Sequence, residues 1–145
     1  MWILRIEPGG PVSLPLQGDD LATFRAVARG VYVERALAEQ RFAEVRAYDR
    51  FIVAYADTPG QPSETIVLET KRGLLVAAFT TEGAALRFRA AVPAEAQPSV
   101  RFAIRDGATL FGDLPADAQG VIVNGRGPES FHVDRAACRA VAEAR

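Results

Sequence analysis

The sequence predicts a single α+β domain in which one mixed β-sheet of about five strands packs against helices. Three observations carry that expectation. Helical apolar spacing runs through residues 17–48, and strand-like runs alternate with short helical stretches over 49–145. No low-complexity tract or long linker divides the chain, and its 145 residues suit one domain with one core.

In order, "WILRI" (2–6) reads as a short strand, "EPGG" breaks it, and "PVSLPL" (11–16) returns beside it as the second half of an N-terminal hairpin arm. Pro11 and Pro15 would confine that return to an edge, because proline donates no ladder hydrogen bond. "GDDLATFRAVARG" reads as a helix capped by Asp19 or Asp20 and ended by Gly30. "VYVERALAEQRFAEVRAY" (31–48) reads as further helix, its alternating charges forming a solvated face.

The pattern changes at residue 50. "RFIVAYA" (50–56), "TIVLET" (65–70) and "LLVAAFT" (74–80) are strands, separated by the turn-rich "DTPGQPSE" and by "KRG". "TEGAALRFRAAV" (81–92) is a helix capped by Thr80 or Thr81 and closed by Pro93. "VRFAI" (100–104) is a strand and "DGATLFGDL" (106–114) a short helix. "GVIVN" (120–124) is a strand, and a terminal helix follows from the cap Asp134.

Composition removes several function classes. The formal net charge of −1 gives no overall field toward nucleic acid or an anionic membrane, so neither is expected as a partner. Lys71 is the only lysine, an arginine bias best read as coding bias. A single cysteine, Cys138, and a single histidine, His132, leave no disulfide framework and no His/Cys metal spacing, so no metal and no cofactor are expected. No run reaches the roughly eighteen apolar residues of a membrane span. The N-terminus lacks a secretory pattern, and the expected location is cytoplasmic.

The stretch "VIVNGRGPESFHV" (121–133) looks most like chemistry. It lacks the lysine and hydroxyl of a triphosphate loop and the downstream acid of a dinucleotide fingerprint. Asn-Gly is a strong turn signal, since both residues tolerate positive φ. Arg126 at the tip and His132 beyond it are then rim contacts on a turn. Cys138 reads as a buried small apolar residue within a helix, not as a thiolate at an electropositive helix start. No serine sits in a nucleophile elbow, and no carboxylates form a recognisable acid/base pair. No catalytic residue is assigned. The binding candidates are Asn124, Arg126, His132 and Trp2.

Three fragments resemble a known family, the first being "RFAEVRAYDRFIVAY", similar to a helix that runs into an extended strand. "LLVAAFTTEGAALRF" is similar to the "FTs-e-al" segment of the SseB family, named for enhanced serine sensitivity, with Phe79, Thr80, Thr81 and Glu82 on its matching positions. "DGATLFGDLPADAQGVIVNGRGPESFHVD" resembles the next segment, where Gly120 and Asn124 match its glycine and asparagine. Gly125 stands where that family usually carries proline. The resemblance covers roughly residues 20–145 of the N-terminal domain type. It implies a small α+β module with no agreed catalytic residues.

The functional expectation is a protein-interaction or ligand-binding module whose partner the sequence does not name. An arginine-rich surface beside apolar strands could take an acidic or extended peptide. An exposed Trp2 on an apolar arm over residues 1–16 would invite a homodimer. The alternatives are a small metal-independent hydrolase or transferase using loop carboxylates with Arg126 or His132, and an immunity or accessory factor for a genetically neighbouring partner.

Overall fold

The structure, a computed structural model, describes residues 2–4, 20–125 and 130–145. Its strands are β1 (Trp2–Leu4), β2 (Phe51–Ala56), β3 (Glu64–Thr70), β4 (Gly73–Phe79), β5 (Val100–Arg105), β6 (Gly120–Val123) and β7 (Phe131–Asp134). The helices are α1 (Asp20–Ala38), α2 (Phe42–Ala47), α3 (Glu82–Ala91), α4 (Gly107–Gly112) and α5 (Arg135–Glu143). One mixed sheet forms, as expected, but it has seven strands and not about five.

The two extra strands come from tertiary pairing of very short runs. β1 lies parallel to β3, with Trp2 opposite Ile66 and Leu4 opposite Leu68. Residues 2–4 of the expected N-terminal arm thus stand at the end of the strand order among the described residues. The proposed return over 11–16 lies outside the described residues. β7 folds back antiparallel on β6, with Ile122 opposite His132 and Gly120 opposite Asp134. β5 pairs with β2 along its whole length. β2 is also antiparallel to β3 and β4, which are antiparallel to each other. β4 meets β2 at Ile52 and Val53 and β3 meets it at Tyr55 and Ala56, so the two strands share one side of β2. β4 and β6 are parallel neighbours.

The expected break at Gly30 is absent, because α1 runs through it to Ala38. Gly30 lies on one buried stripe with Val33 and Ala36, and packing of that stripe carries the helix through a weak position. The helix ends instead at Gln40, which takes φ 58. The Gln40 N–H donates to Leu37 C=O at 3.1 Å and the Arg41 N–H to Ala36 C=O at 2.8 Å. That is a Schellman ending built on a residue other than glycine.

Alternation along the strands splits the core in two. Val53, Val76, Ala78, Val121 and Val123 face α1, α2, α4 and α5, where Phe51 meets Tyr48 and Phe111 edge-on. Ala54, Ala77 and Phe79 face α3, where Phe79 packs on Phe88 and Phe102. Covering on both sides explains why β4 reads as a continuous apolar run.

Candidate functional site

Two fragments far apart in sequence meet at the ends of the parallel strands β4 and β6. Asn124 leaves β6 with φ 55, and its N–H donates to Ala78 C=O at 2.9 Å. Its Oδ1 accepts from the Thr80 N–H at 2.9 Å, and its Nδ2 donates to Thr80 Oγ1 at 2.8 Å. Both residues are buried, so the Asn124 amide is engaged inside the fold and seals two strand ends. Gly120, at the other end of β6, has φ 154, and a Cβ there would run into the Val133 carbonyl. Thr80 and Asn124, which stand in the two separate sequence fragments, thus meet in one buried hydrogen-bonded pair.

His132 lies on β7, facing the β3–β4 turn. Its Nδ1 is 2.7 Å from the Arg72 guanidinium, which donates to it, so the imidazole accepts there and is neutral. Burial lowers its pKa, Arg72 lowers it further, and Asp134 opposes them. Lys71, Thr70 and Ser130 line the same shallow cavity, of about 380 Å³. Arg126 lies outside the described residues, as does the side chain of Trp2. The Trp2 backbone is at the β1 end of the sheet and His132 is at the β7 end. Trp2 and His132 therefore do not share a site.

Cys138 is buried in α5, with its Sγ 3.6 Å from the Val133 carbonyl. Burial pushes its thiol up to about 12, which leaves no thiolate near neutral pH. Among the described residues, no three His, Cys, Asp or Glu side chains gather as a metal site. Also among them, no helix is long and apolar enough to cross a membrane.

A further concavity belongs to residues that the sequence motifs did not single out. It is a groove of about 510 Å³ between α3 and the β2–β5 pair, floored by Ile52, Phe102 and Ala85. Leu86 on α3 and Ile104 on β5 stand at its rim, 53% and 66% exposed, so large apolar side chains face solvent on both walls. Arg29 and Arg50 line it, with Glu82 as the carboxylate and the Thr80 hydroxyl already held by Asn124. On the opposite face of β5, Arg101 and Arg105 lie over the Tyr55 ring at 5.1 and 5.3 Å. Arg101 also pairs with Asp57 at 3.1 Å. The Ser63 hydroxyl and then Arg101 hold the Asp57 carboxyl below its ordinary range. The strand signal in "VRFAI" was legible, but its place beside β2, with no second partner strand among the described residues, was not, because that follows from the order of the sheet.

Fold and groove together define a mixed α/β protein with an arginine-flanked apolar channel beside β5. Compared with family models, curated proteins and solved structures, the chain matches none.

Proposed function

We propose that this chain is a protein-interaction module, cytoplasmic and related to SseB N-terminal domains, that takes its partner in the groove between α3 and β5. The observation that carries the reading is the pair Leu86 and Ile104, large apolar side chains held exposed on opposite walls of one channel. Singly exposed apolar residues need no explanation, whereas two framing a concave channel mark a contact surface. Arg29 and Arg50 add the planar cations that recur at interfaces.

A photoreactive amino acid at position 86 should give a discrete protein adduct in native extract, and Ile104→Glu should abolish it. A yield no higher than from the exposed loop position Gln61 would overturn the reading.

A further inference from the structure

Resting on the groove reading, we infer that the partner is an extended segment of alternating apolar and acidic residues, added as a new strand along the outer edge of β5. The Asp57 N–H donates to Ser99 C=O at 2.8 Å, one step beyond the register pair Ala56–Val100. Backbone groups in an antiparallel pair turn inward and outward with a period of two. Arg101, Ala103 and Arg105 therefore point their N–H and C=O groups at β2, and Val100, Phe102 and Ile104 point theirs away. Among the described residues no strand meets those outward groups. The Arg105 guanidinium donates to the Ile104 carbonyl at 3.0 Å, and among the described residues the Phe102 N–H and C=O and the Ile104 N–H meet no other strand.

Side chains sort with the same period. Phe102 and Ile104 face the groove, and Arg101 and Arg105 stand over Tyr55 on the other face. An added strand presents alternate side chains to those two faces. Its apolar residues continue the groove, and the residues between them meet guanidiniums. Opposite charges across a strand pair stabilise it and like charges destabilise it, so those intervening residues are acidic. Arg105 donates to two neutral oxygens, Tyr55 Oη at 3.2 Å and the Ile104 carbonyl, and so can exchange either for a carboxylate. A second copy of β5 is a poor occupant. With side chains kept on their own faces, its Arg101 and Arg105 fall opposite or diagonal to the same guanidiniums.

The test uses the full chain and fluorescence anisotropy with a labelled hexapeptide that alternates valine and glutamate. The comparison peptides carry the same residues in two blocks, or lysine in place of glutamate. The alternating glutamate peptide should bind about tenfold more tightly than either comparison. It should also slow hydrogen exchange at the Phe102 and Ile104 amides. Ile104→Pro removes an N–H that the β2 ladder does not use, so the edge tolerates it. It should weaken binding about tenfold, whereas Ile104→Val should stay within about twofold. Equal binding of alternating and block peptides, no saturable binding of any, or indifference to Ile104→Pro overturns strand addition. So does a self-association that Ile104→Pro abolishes. If Leu86→Glu abolishes binding and Ile104→Pro does not, strand addition fails and the groove reading stands. If neither substitution changes peptide binding and residue 86 gives no adduct, both fail.

Discussion

Asn124 reaches a residue 44 positions away in the chain, and its side chain serves the Thr80 backbone and hydroxyl at once. Asn124→Ala would leave a buried N–H and a buried hydroxyl unpaired and place alanine at positive φ. It should cost about 3 kcal/mol, measured by urea unfolding. The "NG" pair was legible as a turn, because asparagine tolerates that φ. The bond to Thr80 was not, because it exists only once β4 and β6 lie side by side. His132 offers a second test at this scale, since the sole histidine gives a single resolved NMR titration. Its folded-state pKa lies below the ordinary 6.5, from burial and then Arg72. The stability it contributes is thus fully present above about 6.5 and is lost as pH falls through the folded value. Arg72→Ala should raise the measured pKa and shrink that loss. An unchanged pKa would mean that Arg72 is not the cationic neighbour.

Among the elements, helix starts capped by a side chain are the most local feature and were legible, whereas the uncapped start of α2 was read as continuous helix. Thr81, Asp106 and Asp134 each accept from the N–H three residues on, at 3.1, 2.7 and 2.7 Å. Thr81→Ala should cost about 1 kcal/mol of unfolding free energy, with the α3 amides gaining exchange first. An equal rise in exchange across the sheet would show that the cap is not a local device. Helix ends were less legible. Gly30 has the local mark of a terminator, but burial of its stripe overrides that mark, and Gln40 stops the helix without a glycine. The three-residue β1 carries too few residues to fix its own partner or direction. Only its parallel register on β3 does so.

For the molecule as a whole, the question is which surfaces are covered. The four helices α1, α2, α4 and α5 close one face of the sheet around Phe51, Phe111 and Cys138. Cys138 is part of that core, so a disulfide-exchange reagent should leave it unmodified in the native protein and titrate it fully in denaturant. Rapid native labelling would contradict the packing of α5. Among the described residues α3 is the α-helix that packs on the opposite face, and the groove lies between it and β2 and β5. By itself the sequence determined the periods, caps and turns, because these depend on neighbours within about four positions. It also determined which chemistry is missing from its residues: a second histidine or cysteine, a nucleotide loop and a nucleophile elbow. Only the tertiary structure decided that β4 and β6 run parallel, that Asn124 reaches Thr80, and that β5 lies beside β2 with its arginines on one face and its apolar side chains on the other. Those features come from strand order, which no local stretch of chain encodes.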